Sequence, residues 1–195
     1  MDIIIKNLHK SFGNNKVLSG IDLVVKQNRI TCLMGQSGSG KTTLLNILMG
    51  FEKADSGELM NVPVHKSAVF QENRLCEDFS VLTNIKMVND TLKEDVILRH
   101  LDAVGLRENS GQKVSTLSGG MKRRVALVRA ILAEKDVLFL DEPLKGLDEE
   151  TRDKVIAYLL NNTKNTTVIM VTHQIEEAQA LSAEIVYLKN GVIEK

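Results

Sequence analysis

Eight consecutive residues, Gly35-Gln36-Ser37-Gly38-Ser39-Gly40-Lys41-Thr42, satisfy the pattern G-x-x-x-x-G-K-[ST] at every fixed position. Glycine has no Cβ, so such a loop wraps closely around an oxyanion and turns its N–H groups toward it. A helix starting near Lys41 adds the partial positive charge of its N-terminus. The Lys41 ammonium is placed for β- and γ-phosphates, and the Thr42 hydroxyl for the shell of a magnesium ion. The chemistry implied is the binding of a purine nucleoside triphosphate. The bland alternative, a Gly/Ser turn that carries a lysine, leaves the strand before it and the helix after it unexplained. Further along, the apolar run Val137-Leu138-Phe139-Leu140 delivers Asp141 and Glu142. Open α/β sheets bind ligands at the carboxyl ends of their strands. Asp141 is then a magnesium partner, direct or through water. Glu142, pointing to the other side, is placed to polarise an attacking water. Without the glycine loop upstream, the two acids would read as the charged start of a following helix.

These residues require strands and helices in alternation. Ile3 to Ile5, Val17 to Val25 and Arg29 to Met34 read as strands, the last stopping abruptly at Gly35. Leu44 to Met49 reads as a helix, and Gly57–Met60 with Lys66–Phe70 as a small hairpin. From about Asp78 to Leu106 the apolar residues Val96, Leu98, Leu101 and Val104 follow helical spacing. Met121, Val125, Val128 and Leu132 then form one stripe of a second helix, with Arg123 and Arg124 on its solvated face. Val137 to Leu140 is solidly apolar, as in strands covered on both faces. A helix from Asp148 to about Leu160, a strand Thr167–Thr172, a short helix after His173 and a closing strand pair follow. The fold class is α/β, with a helical insertion in the middle.

Composition removes several alternatives. The 195 residues fit one domain, and 43% hydrophobic with 26% charged side chains is globular composition. Twenty-five basic and 25 acidic residues balance, which argues against nucleic-acid binding driven by bulk charge. No stretch approaches the roughly 18 apolar residues of a membrane-spanning helix, and the first residues lack a secretory pattern. Cys32 and Cys76 suggest neither a disulfide framework nor a zinc site. The chain reads as cytoplasmic, so any membrane it serves must be spanned by another polypeptide.

The sequence resembles the nucleotide-binding subunit of ABC transporters. Leu117-Ser118-Gly119-Gly120 looks like that family's signature, about 75 residues after Lys41 and just before the Asp141 strand. The resemblance covers essentially the whole chain and implies a P-loop NTPase core with an antiparallel β-subdomain and an inserted helical subdomain. The whole is one domain over 1–195, with the insertion at about 74–134. ATP and Mg²⁺ are the implied ligands. Phe12 matches the aromatic that stacks on adenine, and residues from Gly35 through Lys41, Thr42 and Thr43 match the phosphate site. Gln71 resembles the glutamine that joins Thr42 and Asp141 at the metal and links them to the membrane partner. Gly146-Leu147-Asp148 resembles the D-loop, and His173 the switch histidine that acts with Lys41 and Glu142 in catalysis. Taken alone, Ser118 is a plain helix cap, His173 a structural histidine and Phe12 a core aromatic.

In this family two subunits related by a two-fold axis pair head to tail. Ser118, Gly119 and Gly120 of each then meet the nucleotide on the other. The implied partners are a second copy, integral-membrane permease subunits and a substrate-binding protein, with the chain peripheral on the inner face of the membrane. Val69 to Leu75 is similar to nitrate/sulfonate/taurine-type importer ATPases. Lipoprotein and macrolide exporter ATPases are the nearest rival, and a soluble non-transport ABC ATPase is a further one. A nucleoside-phosphate kinase shares the glycine loop but leaves Ser118-Gly119-Gly120 and Glu142 unexplained. The departures are Met121 for the usual glutamine, Lys145-Gly146 for the usual small pair, and only about 30 residues from Lys41 to Gln71. That last interval implies a trimmed β-subdomain, and 22 residues after His173 imply no C-terminal regulatory domain. Leu75 and Phe79 either fold inward over the core or line a groove for a permease helix.

Overall fold

The computed structural model describes residues 1–194. β1 (Ile3–Phe12) and β2 (Asn15–Val25) pair antiparallel. Their register shifts between Ile5 and Leu8, where Asn7 takes φ 45°. This irregularity lets Ile3, Ile5 and Leu8 all face inward although the spacing changes from two to three. β3 (Ile30–Met34) runs into the glycine loop, and α1 (Lys41–Met49) leaves it. β4 (Ser56–Met60) pairs with the free edge of β1, completing a three-stranded sheet in the order β2-β1-β4.

β5 (Lys66–Val69) does not turn back on β4, so the hairpin expected there is absent; it pairs parallel with β6 (Val137–Asp141). The reason lies in burial. β4 is almost wholly exposed, an edge strand for the antiparallel sheet, whereas Val69 is 2% exposed and belongs to the core beneath the helices. Between β5 and β6 come α2 (Val81–Lys86), α3 (Glu94–Ala103) and α4 (Gly119–Leu132). The helical pattern expected from Asp78 to Leu106 is thus two helices. Asn89 interrupts it, because its Oδ1 accepts from Thr91 N–H and Oγ1 at 3.1 and 2.7 Å and so stabilises a turn. α5 (Glu149–Asn162), β7 (Thr167–Val171), α6 (Ile175–Ala180), β8 (Glu184–Lys189) and β9 (Val192–Ile193) complete the chain. The large sheet has the order β5-β6-β7-β3-β8-β9, parallel from β5 to β8.

Strand alternation divides the interior into two cores. Leu33, Val137, Phe139, Ile169 and Val171 point to one face, where they meet α1 and the inward residues of β1 and β2. Their neighbours Cys32, Met34, Leu138, Leu140, Val168 and Met170 point to the other, against the helices that follow. α1 is therefore held between two sheets, and its N-terminus is fixed relative to β3. Burial pushes the Cys32 thiol up to about 12, whereas Cys76 is exposed.

One buried polar side chain orders the segment before α2. Asn84 is fully buried; its Oδ1 accepts from Cys76 N–H at 2.8 Å, and its Nδ2 donates to Cys76 O at 2.9 Å and Ser80 O at 3.0 Å. Asn84→Leu leaves those backbone groups without partners and is expected to cost roughly 2–4 kcal/mol. Urea titration should show a lower midpoint at an unchanged m value.

Candidate functional site

β3 ends at Met34, and Gly35 turns the chain at φ 147°; a Cβ there would lie 2.0 Å from Leu188 O. Gly40 starts α1 at φ 104°, and a Cβ on it would lie 2.7 Å from Leu18 Cδ2. At both positions β-strand backbone or side chains crowd the loop from behind, so only glycine fits. Gln36, Ser37 and Gly38 are exposed between them, and Ser39 is buried. Lys41 lies along the loop's inner side, its Nζ donating to Gly35 O and Gln36 O, each at 2.8 Å. Burial lowers the lysine's pKa, and the nearby carboxylates of Glu142 and Asp141 oppose that shift.

A cavity of about 380 Å³ opens over this loop, within the size range of small-molecule sites. Ser37, Gly38 and Gly40 through Thr43 form its floor. Gln71, Asp141, Glu142 and His173 reach it from three other segments, and Phe12 from the end of β1. Gly35, Gln36 and Ser39 shape the loop without lining the cavity. Phe12 is not a core aromatic: it is 50% exposed. The Lys10 ammonium stands 4.9 Å from its ring centroid, held by Glu52 at 2.7 Å and by Lys53 O at 2.8 Å. This cation–π contact steadies the ring from below.

Asp141 is nearly buried at the end of β6. Burial above all, and then Glu142, raise its pKa, with Arg123, Lys41 and His173 working in the opposite direction. Glu142 adopts φ 49°, a left-handed backbone rarely taken by a non-glycine residue. Its carboxylate is held at both oxygens, by His173 Nε2 at 3.0 Å on Oε1 and Lys145 Nζ at 2.6 Å on Oε2. Among the described residues no cluster of three or more His, Cys, Asp or Glu side chains forms a metal cage. One carboxylate, one hydroxyl and one amide around a phosphate cavity nevertheless fit Mg²⁺. That ion keeps several waters and binds through one or two carboxylates plus substrate phosphates. Asp141, Thr42 and Gln71 are the side chains here that would hold it.

Arg123 overturns an expectation. It is not on a solvated face but 7% exposed, and its guanidinium donates to Phe70 O at 2.5 Å and Gln71 O at 2.6 Å. Arg124 is half-buried and donates to Val104 O at 2.7 Å. A planar fork satisfies two carbonyls at once, and that geometry draws an arginine under a loop that has no partner strand to bond. Arg129 and Lys122 hold the same loop, by Arg74 O at 2.9 Å and the Glu77 carboxylate at 2.7 Å. The peptide of Gln71 is thus fastened to α4.

Ser118 caps that helix, its Oγ accepting from Met121 N–H at 3.3 Å, with Gly119 and Gly120 behind it. These three residues do not line the cavity over Lys41. Gly120 instead abuts the turn after β6, where a Cβ on it would lie 3.2 Å from Leu147 Cδ2. Asn15, Val17 and Val171 also line the cavity. Neither they nor Lys10 were marked by any motif; only proximity to Phe12 and to the Asp141 strand signals them.

Comparison with known proteins adds four findings. The family described as ABC transporter matches residues 18–145. Aliphatic sulfonates import ATP-binding protein SsuB 3 of Rhodococcus jostii (strain RHA1) is 38% identical, over 97% of this chain and 72% of that protein. Spermidine/putrescine import ATP-binding protein PotA of Spiroplasma citri is 38% identical over 98% of this chain, which spans only 60% of that relative. The ATP-binding cassette MJ0796, solved as a dimer in a post-hydrolysis state with ADP and Pi, superposes with a TM-score of 0.85. It is 27% identical, over 99% of this chain and 97% of the other.

The raised pKa of Asp141 carries a stability consequence. The folded chain keeps this proton to higher pH than the unfolded chain, so the group's contribution falls as pH rises from the ordinary carboxylate value through the folded one. At neutral pH the charge destabilises the nucleotide-free fold. Asp141→Asn is expected to melt a few degrees higher than the parent at pH 7 without nucleotide, the gap closing toward about pH 4. The same variant should lose the stabilisation that Mg²⁺ and ATP give the parent, as read by differential scanning fluorimetry.

Proposed function

The chain belongs to the ABC transporter family, and from that premise we propose that it is the ATP-hydrolysing subunit of an importer. It works as a head-to-tail dimer and drives substrate through separate permease subunits. The observation that carries this reading is the convergence of Lys41, Thr42, Asp141, Glu142 and His173 on one cavity while Ser118-Gly119-Gly120 stays outside it. A signature that lies outside the cavity of its own subunit is useful only to another copy, and a relative solved as a dimer agrees with that. The unit proposed is a single cassette with its helical subdomain at about 74–134. Among the described residues no helix is long and apolar enough to cross a membrane. The permease therefore supplies the membrane span, and the cassette sits against its inner face. Of the two side chains expected to meet it, Leu75 packs partly against the helical core. Phe79 is 49% exposed, and it alone supports a docking role. Import, rather than export, rests on the printed functions of the relatives. Substrate choice lies with a binding protein and the permease.

In the proposed step, a water oxygen bonds to the γ-phosphorus as the bond to the β,γ-bridging oxygen breaks, and the water's proton passes to Glu142. Lys41 and the loop N–H groups meet charge on the phosphates; Phe12 stacks against the base. His173 orients the Glu142 carboxylate. Bound Mg²⁺, when held by Thr42, Asp141 and Gln71, supplies charge neutralisation at the β- and γ-oxygens. Because Arg123 ties the Gln71 peptide to α4, movement at the metal is passed to the helical insertion.

Two variants test this reading together. Lys41→Ala should abolish ATP binding. Glu142→Gln should retain it while turnover falls at least about 100-fold, as loss of a general base predicts. With saturating ATP and Mg²⁺, the Glu142→Gln protein should elute as a dimer in gel filtration. Turnover near the parent rate in either variant would defeat the proposal.

A further inference from the structure

Glu142 is a wall shared by two cavities. One is the cavity over the glycine loop; the other, of about 130 Å³, lies beyond the carboxylate and is lined by Lys145, Gln174 and Glu177 among others. His173 lines both, but Lys145 lines only the smaller. Its ammonium meets Glu142 Oε2 at 2.6 Å, whereas His173 meets Oε1 at 3.0 Å. The Glu142 side chain is 13% exposed, so few other groups compete for it. A carboxylate clasped by an ammonium at this distance has its best acceptor position on that oxygen taken. The clasp comes from a residue that lines the smaller cavity and not the one over the glycine loop.

We propose that Lys145 is a positioning residue that latches Glu142 in the resting subunit. It draws Oε2 toward the smaller cavity and away from the water that the carboxylate must deprotonate. The inference rests on the reading of Glu142 as the base. The latch is built to open: the Lys145 side chain is 59% exposed, so water can replace the carboxylate around the ammonium at small cost. It also has a route of control. The residues after it, Gly146 at φ 76° and Leu147, form the turn that abuts Gly120 at the start of α4. An anion docking on that helix N-terminus approaches the turn that carries the ammonium and competes for its charge. A partner's triphosphate is such an anion, so closing the dimer releases the base of the subunit that supplies the signature. Hydrolysis is then held low until two loaded subunits meet.

The test is steady-state ATPase activity of the full chain at saturating Mg-ATP and at protein concentrations dilute enough to leave the subunits unpaired, comparing the parent with Lys145→Met and Lys145→Arg. Lys145→Met should raise kcat about fivefold, the rate equivalent of a part-exposed ion pair, with KM unchanged. Lys145→Arg keeps the charge and should restore the parent's low rate. Raising ionic strength should increase kcat of the parent and leave Lys145→Met flat, since only the parent has the pair to screen. A side chain with a merely structural role would shift melting temperature and move none of these. A kcat in Lys145→Met equal to or below the parent's, with melting unchanged, overturns the latch while leaving Glu142 as the base. If Glu142→Gln turns over as fast as the parent, the base assignment fails and the latch with it.

Discussion

β6 and β7 pair in parallel with Asp141 opposite Val171, and one further backbone bond, Glu142 N–H to Val171 O at 2.9 Å, carries the pairing past the strand end. The site depends on that register. Side chains alternate along a strand, so a slip of one residue would exchange the faces of Asp141 and Leu140 and bury an acid among the helices. Apolar residues on both faces resist such a slip: Phe139 is fixed against α1 and Leu138 against the helical core. With the register set, Glu142 and His173 leave neighbouring strand ends side by side. The left-handed backbone at Glu142 bends its carboxylate over toward the histidine.

The second determinant is how charge is distributed around the cavity. Lys41 and Arg123 are both buried, and each finds carbonyl oxygens before it finds an acid. Their positive charge is thereby immobilised next to Asp141, where it opposes the upward push that burial gives the carboxyl. The arrangement resembles a spring loaded in favour of a charged ligand: cations already desolvated, and a carboxylate whose charge burial disfavours. Sites of this kind trade stability of the empty fold for affinity.

Much of this was legible in the amino-acid sequence, and the limits have physical causes. The glycine loop and the Asp141-Glu142 strand announce themselves because each combines a residue type with a flanking element, whereas His173 stands out only by its place after them in the family's order. The central strands were clear from their solid apolar runs. The partners of β4 and β5 were not, since strands of five and four residues carry no label for their neighbours. Arg123 reads as solvated because a guanidinium buried against main-chain carbonyls leaves no complementary charge to find along the chain. Lys145 was visible only as an unusual residue in a familiar turn. Its contact with Glu142 depends on the backbone bend between them, which no spacing rule expresses.

The Asn84 clamp has a practical corollary. It pins the backbone of Cys76 five residues past Gln71 while the Cys76 side chain remains exposed. The chain's other thiol, Cys32, is sealed in β3 and holds its proton far above neutrality. A maleimide dye added to the native protein therefore has a single reactive address, on the loop that follows Gln71. Nature has left this molecule with a fluorescent labelling position that requires no mutagenesis, and its backbone anchor means that any change in emission reports the loop's surroundings and not the looseness of the tether.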